Sequence, residues 1–444
     1  MIRYGQRIAL QLWTMINKAK DNSEKESNNA PVSNRQVRDG KIPITVWQIG
    51  VMMLLMNVSF VMAYSFSGLY LKHILGASAV GIGVLEGFCE MISHLMKLFS
   101  GMLSDFFRRR KGIMIFGYVF SVLSRPVLAI SNSFILVFSA RMMERFGNGV
   151  QASPRDAIIA DVAPRKRIGA SYGLKRSLAY IGSLLGGVFG IWAMKATGSN
   201  YQAVFGLASI PATIAFLLLI FFVKEPKRFE HPAITSEAPM PSPKVKPKFT
   251  FKNFKYLGLS FWLLMVVNAI FMMSRMNETF LILRMNEGFH VDPMFAPIVM
   301  IVFNMGTTLS SYPIGLLGDK FDRMKILCFG ISALLLADII MYSATTRAVM
   351  YVGVLFWGIQ LGSTQNVFVS MIAEKVTEDL RGTGIGVYWL VNAMAAFCAD
   401  TLAGKVAHHF SLNSIFVSSG IIGVVAIMTL LLVIHIVAPR RQHE

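Results

Sequence analysis

GMLSDFFRRRK, from Gly101 to Lys111, and GLLGDKFDRMK, from Gly315 to Lys325, are imperfect copies of one stretch set 214 residues apart. Each has a glycine, an acid four residues on and a basic end, and each stands between two long apolar runs. A second pair keeps the register: Asp161 with Arg167 and Gly169 is answered by Glu374 with Arg381 and Gly382, at offsets of 213 and 214 for the charged residues. The chain therefore holds an internal repeat, and the repeating unit is a set of apolar runs joined by short polar loops.

A helix needs about 20 apolar residues to span a bilayer. Such runs occur at 46–71, 79–100, 113–131, 134–154, 170–194 and 201–223, and again at 256–283, 293–313, 325–344, 348–371, 383–406 and 412–437. Six is an even number, so the two copies point the same way across the membrane. The result is a parallel repeat about an axis along the membrane normal, a layout found among secondary transporters. The predicted fold is an all-α polytopic membrane protein with twelve transmembrane helices in two six-helix bundles. The expected organisation is an N-terminal tail over 1–45, a first bundle over 46–223, a linker over 224–254, a second bundle over 255–438 and a C-terminal tail over 439–444. The linker, KEPKRFEHPAITSEAPMPSPKVKPKFTFKN from Lys224, is too rich in Pro and Lys to bury a core.

Composition agrees. Of 444 residues, 54% are apolar and 15% charged, against about a quarter charged in an ordinary globular chain. Mean hydropathy is +0.54. A soluble enzyme, a secreted disulfide scaffold and a disordered chain are excluded. The net charge of +19 reports orientation rather than a nucleic-acid partner: about 30 of the 43 Lys and Arg fall in segments sharing one side of the membrane, the positive-inside bias. Both termini and the linker are expected in the cytoplasm. Residues 1–20 lack acids and read either as a basic tail or as an interfacial amphipathic or transit segment. Cys89, Cys328 and Cys398 have no paired spacing and suggest neither a disulfide set nor a metal site. No GxxxxGK[ST] loop or HExxH site is present, so neither an enzyme nor a bound cofactor is expected. The 28 methionines suit ordinary packing better than an adaptable drug surface.

From about residue 45 to the end, the chain resembles the major facilitator superfamily. Its loop signature, G-x-x-x-D-[RK]-x-G-R-[RK], is matched by Gly101, Asp105, Arg109 and Arg110, and again by Gly315, Asp319, Lys320 and Arg323. Phe106, Arg108, Asp322 and Met324 depart from it. Physically, the glycines let helix ends approach, and the acids accept hydrogen bonds from helix N-termini or basic neighbours. With Asp161, Arg167, Glu374 and Arg381, these residues are the expected cytoplasmic latch; the alternative is a purely topological loop. Span 4 resembles the R-x-x-x-G-x-G-x-G pattern through Arg141, Gly147 and Gly149, with Arg145 in place of the first Gly. Span 5 carries Gly173, Gly182, Gly186 and Gly190, spaced as in the antiporter signature of exporters, with Gly187 where that signature has Pro. The alternative is generic glycine packing. GNGVQASPRDAIIADVAP from Gly147 and the run from Glu86 to Lys111 resemble a branch of bacterial predicted permeases, a resemblance that implies a bacterial inner membrane.

Ionisable side chains within spans are costly and mark function by default. Glu86, Glu90, His94 and Lys97 fall at helical spacings on one face of span 2, and Arg125 precedes Pro126 in span 3. This ladder is either a proton site or an ion-paired strut. The resemblance implies a central cavity lined by spans 1, 4, 7 and 10, which places Asn57, Tyr64, Arg141, Glu144, Arg145, Arg275, Glu278, Gln360 and Asn366 around substrate and protons. Gln365 belongs to the same set. Arg141 with Glu144, and Arg275 with Glu278, are spaced to pair within their helices. Either pair is a proton switch, the proton on the acid freeing the arginine for an anion, or a structural salt bridge. Three arginines against two acids favour an anionic substrate. Asp338 and Asp400 have no role assigned from sequence.

The expectation is a secondary active transporter working by alternating access, with protons as the coupling ion, a small-molecule substrate and membrane lipids as partners, no nucleic acid, and a monomeric state. The first reading is antiport export of a small organic, anionic compound. The alternative is proton-symport uptake of an amino acid, organic acid or phosphorylated metabolite. A transport-dead receptor of the same fold is the third.

Overall fold

A computed structural model describes residues 42–107, 110–164, 167–223, 257–318, 322–376 and 381–437, without the side chains of 101–107, 168–169, 312, 315–318, 366, 369–370, 373–375 and 381–383. The described residues form long helices in the order the hydropathy predicts. These are α1 (Ile44–Leu69), α2 (Ala79–Phe107), α3 (Arg110–Ala129), α4 (Phe134–Val162), α5 (Ile168–Ala196), and α6 in two pieces, Tyr201–Leu207 and Ser209–Phe221. The second half follows with α7a (Leu259–Ser274), α7b (Glu278–Phe289), α8 (Pro297–Gly318), α9 (Arg323–Ser343), α10 (Arg347–Lys375), α11 (Arg381–His409) and α12 (Ser414–Val437). Among the described residues, ten of these crossings are long and apolar enough for a membrane. α4 and α10 are as long but more polar, because they carry Arg141, Glu144 and Arg145 in one and Gln360, Ser363, Thr364 and Gln365 in the other. Their polarity is the mark of helices that face inward rather than toward lipid.

Polar side chains close the helix ends. Ser133, Asn200, Asn277, Asp322 and Thr346 each accept a backbone N–H from the first turn that follows. The outer faces are apolar: Ile135, Trp192, Phe221, Leu309, Ile339 and Leu432 stand exposed, as a lipid-facing belt requires. The chain is an integral, multi-pass membrane protein.

Within the first six helices, α3 packs on α4, and α5 on α1. Gly182 and Gly186 make the second contact possible: a Cβ on Gly182 would collide with the Leu54 carbonyl, and one on Gly186 would stand 2.7 Å from the Val58 carbonyl. In the second six, α8, α9 and α12 pack around α10 and α7a. The two sets meet along α2 and α11, with Gly83 against the Asp400 carbonyl and Gly404, and Lys97 lying 4.9 Å from the Trp389 ring centre. Gly187 also packs on Ile301, so α5 touches α8. At the end of the molecule opposite Val223 and Leu257, Lys72 pairs with Glu287 at 3.5 Å and His73 with Asn286 at 2.7 Å. That end is therefore tied across the two halves.

Candidate functional site

The site is organised by a break in span 7. The sequence predicted one helix over 256–283 with Arg275 and Glu278 paired along it. Instead, α7a stops at Ser274, Arg275 takes extended backbone at φ −93° and ψ 114°, and α7b starts at Glu278 behind Asn277. Asn277 accepts the Thr279 N–H at 3.0 Å and so caps the new helix. The break moves Arg275 and Glu278 off a common face, and among the described residues no ion pair joins them. Arg275 Nη1 lies 3.7 Å from Met272 Sδ instead.

Opposite the break stands a chain of buried charges. Arg141 donates to both oxygens of Glu86, at 3.1 and 2.8 Å, and to Glu144 at 3.1 Å. Glu144 lies 3.7 Å from Arg145, Arg145 3.1 Å from Glu90, and Glu90 3.8 Å from His94. Glu86 is 0% exposed, Arg141 2% and Glu144 3%. The Tyr64 ring packs against both guanidinium groups, its centre 4.7 Å from Arg141 and 5.6 Å from Arg145. Glu86, Glu90 and His94 of the span 2 ladder and the span 4 cluster, expected as separate features, are one network.

This network changes the charge count. Glu86 and Glu90 join Glu144 and Glu278, giving four acids to the three arginines Arg141, Arg145 and Arg275. The excess of arginine expected from sequence is absent, because spacing along span 2 could not say which helix those acids would meet.

The network also reaches the second half. Tyr64 Oη donates to Asn277 Oδ1 at 2.6 Å and lies 3.4 Å from Glu278 Oε2. Thr279 Oγ1 lies 3.2 Å from Tyr64 Oη and 3.1 Å from Glu86 Oε1. The broken segment is thus held by the first half's tyrosine and its most buried acid.

Other expected site residues lie elsewhere. Arg125, grouped with the ladder, donates to Ser59 at 3.0 Å and Ser124 at 3.2 Å, and no ion pair joins it to Glu86 or Glu90. Asn57 donates to the Met53 carbonyl at 2.8 Å and meets Ser183 of α5 at 3.4 Å. Gln360 is fully buried with neither amide atom partnered. A Cβ on Gly190 would stand 3.4 Å from Phe66 and Pro297, ordinary contact, while one on Gly173 would point into open space. Of the latch, Arg110 ion-pairs with Asp161, joining α3 to α4. Arg167 is exposed and Arg323 opens α9 behind its Asp322 cap. The side chains of Asp105, Glu374, Arg381 and Asn366, the surroundings of Gly101 and Gly315, and all of Arg109 and Asp319 lie outside the described residues.

Between the break and the end where the linker leaves, a small open cleft is lined by His94, Asn268, Phe271, Met272, Arg275, Thr364, Gln365, Phe368, Tyr388, Trp389 and Asn392. Amide and aromatic groups dominate it, and Arg275 brings a guanidinium with no carboxylate partner among the described residues. Such a lining suits a small polar molecule with an anionic group. Sequence reasoning missed Asn277, Thr279, Tyr388, Trp389 and the Asn268–Asn392 pair at 2.7 Å. For Asn277 a signal existed: Asn directly before an acid is a helix-start signature. Tyr388, Trp389 and Asn392 come from α11, outside the spans expected to line the cavity.

The family model described as Major Facilitator Superfamily matches residues 49–397 and again 263–444. An uncharacterised MFS-type transporter of Methanocaldococcus jannaschii is 26% identical over 340 residues, covering 74% of this chain and 80% of the relative. An uncharacterised protein of Mycobacterium bovis is 24% identical over 372 residues, covering 81% and 87%. Among solved structures, a POT family transporter in complex with a thioalcohol-conjugated peptide superposes with a TM-score of 0.72 at 13% identity, over 90% of this chain and 96% of that one. The nucleoside transporter NupG gives 0.69 at 14% identity, over 88% and 99%.

Proposed function

The chain belongs to the Major Facilitator Superfamily, and from that premise we propose that this secondary transporter carries a small organic anion together with protons. The observation that carries the reading is Glu144 between Arg141 and Arg145 in a buried network that touches the α7 break. Each guanidinium has either a carboxylate of the protein or an anion from outside as its partner. A proton on Glu144 or Glu90 weakens the internal partner and favours the external one. Coupling between two ligands is reciprocal, so proton and anion favour the same state. Ligands that bind together cross together, which is symport, and with an inward proton gradient the direction is uptake. The anion itself is assigned to the cleft beside Arg275, where His94, the neighbour of Glu90, joins the cleft to the network, so that a proton on Glu90 or Glu144 frees Arg145 to share the anion with Arg275. Gln365, Asn268 and Asn392 serve its polar groups and Phe271, Phe368 and Trp389 its carbon frame.

Export by antiport is the second reading, favoured by the spacing of Gly173, Gly182, Gly186 and Gly190. It requires the opposite sign of coupling. Close packing of α5 on α1 accounts for Gly182 and Gly186 without it. In the symport reading the linker and both tails lie in the cytoplasm of a bacterial inner membrane, the protein works as a monomer, and the two repeated loops latch the cytoplasmic side. Untargeted metabolite profiling tests the reading, comparing cells with the wild type and cells with Arg275→Ala at matched levels. An anionic compound depleted from the medium and accumulated inside only with wild type supports it. A compound enriched in the medium supports export, and a cationic one overturns the assignment to Arg275.

A further inference from the structure

Asp338 of α9 lies apart from the network above and is 3% exposed. Its hydrogen bonding runs through Ser419 of α12 to Ser274, the last residue of α7a. Ser419 Oγ stands 2.6 Å from Asp338 Oδ2 and 2.6 Å from the Ser274 carbonyl. A hydroxyl has one hydrogen to give, and a carbonyl or an ionised carboxylate only accepts. With an ionised Asp338, one of these two short contacts would set oxygen lone pairs against each other with no hydrogen between them. With a proton on Oδ2, both are satisfied: Asp338 donates to Ser419, and Ser419 donates to the carbonyl. Ser274's own hydroxyl is not the missing donor, because it is turned to the Phe271 carbonyl at 2.7 Å.

The surroundings agree. Asp338 Oδ1 is buried with no partner. No ion pair includes Asp338 among the described residues. The titratable groups on the elements around it are engaged elsewhere, turned outward or distant in sequence: Tyr342, one turn along α9, is exposed, Arg347 of α10 binds the carbonyls of Phe289 and His290, Tyr351 stands one turn beyond it, His435 closes the last turn of α12, Arg323, Lys325 and Cys328 lie in the first turns of α9, and Arg275 is at Met272. The carbonyl served by Ser419 is one the break exposes, since its ordinary helical donor, the N–H of Glu278, instead opens α7b.

We infer that Asp338 is a proton-binding site, separate from the Glu86–Glu144 network, whose proton is read by the break in α7. While Oδ2 holds the proton, Ser419 gives its hydrogen to Ser274 and the break is stabilised. When the proton leaves to water, the Ser419 hydrogen turns to the carboxylate and the Ser274 carbonyl loses its donor. The nearest replacement along the chain is the Glu278 N–H. Taking it closes α7 into a continuous helix and draws Asn277 and Thr279 away from Tyr64 and Glu86. The link from this switch to transport rests on the proton-coupled reading above; the proton on Asp338 does not.

The test uses the full-length protein in detergent. Infrared spectra of wild type and Asp338→Asn are subtracted, and amide exchange is followed at 275–279 across pH. The expected result is a protonated-carboxyl band present only in wild type and shifted by Ser419→Ala. Above the pH at which that band disappears, exchange at 275–279, corrected for its intrinsic pH dependence, slows severalfold in wild type and not in Asp338→Asn. A difference spectrum without the band, or equal exchange profiles in both proteins, overturns the inference. Should Asp338→Asn fail to fold, the shift caused by Ser419→Ala carries the same test, and no shift is refutation. A band present in a protein that moves no protons with its substrate leaves this site standing and removes the transport reading.

Discussion

Arg141→Met probes the buried network most severely. Arg141 holds both oxygens of Glu86 at 3.1 and 2.8 Å and one of Glu144 at 3.1 Å. Without it, fully buried Glu86 keeps only the Thr279 hydroxyl at 3.1 Å. Removing one partner of a buried ion pair costs about 3–5 kcal/mol, because the other charge is left without compensation. Glu86→Gln is milder: Arg141 retains Glu144, and the amide oxygen still accepts from Thr279, so the loss is about 1–3 kcal/mol. In the double variant neither charge is orphaned at that end. Its cost therefore falls below the sum of the single costs by about 2 kcal/mol, which brings it close to that of Arg141→Met alone. Equilibrium unfolding in mixed micelles, run on all four proteins, reads the cycle. Strictly additive costs would refute the network, as would an Arg141→Met protein within about 0.5 kcal/mol of wild type, the range of an ordinary surface change.

Three further outcomes follow from the same geometry. Tyr64→Phe deletes the bonds to Asn277 and Thr279 that tie the halves together; in a background lacking Cys89, Cys328 and Cys398, labelling of Met285→Cys, at a buried position of α7b, by an aqueous maleimide should rise about 5-fold or more, the effect of roughly 1 kcal/mol. Unchanged labelling would mean that this contact does not hold the far end closed. Gly182→Leu drives a side chain into the Leu54 carbonyl and should cost about 1–3 kcal/mol with loss of folded yield, while Gly173→Ala, in open space, should match wild type by thermal melting in detergent. Arg275→Ala should weaken binding of the transported anion about 10- to 100-fold, the loss of a charge-assisted pair, with the melting temperature little changed. Equal affinity in the two proteins would move the anion site away from the cleft.

Much of the architecture was legible because hydropathy and the repeated loops are long-range signals that tolerate local error. The span limits shifted by a few residues, and the two crossings least apolar in the structure, α4 and α10, are among those expected to line a cavity. The site was legible residue by residue but not in its connections. Glu86, Arg141, Glu144 and Tyr64 were all named, yet their joining depends on α2 and α4 meeting, which no spacing within one helix reveals. The break in α7 was missed because Arg275 and Glu278 at three apart look like an ordinary helical pair, with no Gly or Pro to warn otherwise. The cap at Asn277 was the readable clue. Arg125 stands with the span 2 ladder by its place before Pro126, whereas its hydrogen-bond partners are two serines, one of them 66 residues away. Asp338 offered nothing by itself; its meaning comes from Ser419 and Ser274, brought together only by the packing of α12 between α9 and α7a.

The sign of coupling between proton and anion separates co-transport from exchange. It is tested most directly in vesicles reconstituted with the full chain and loaded with a pH-sensitive dye, to which the anion identified by profiling is added outside under a clamped membrane potential. Under symport the vesicle interior acidifies as the anion enters, and Glu144→Gln abolishes the acidification. Alkalinisation on anion entry would establish exchange instead of co-transport, and anion uptake with no pH change would remove protons from the mechanism.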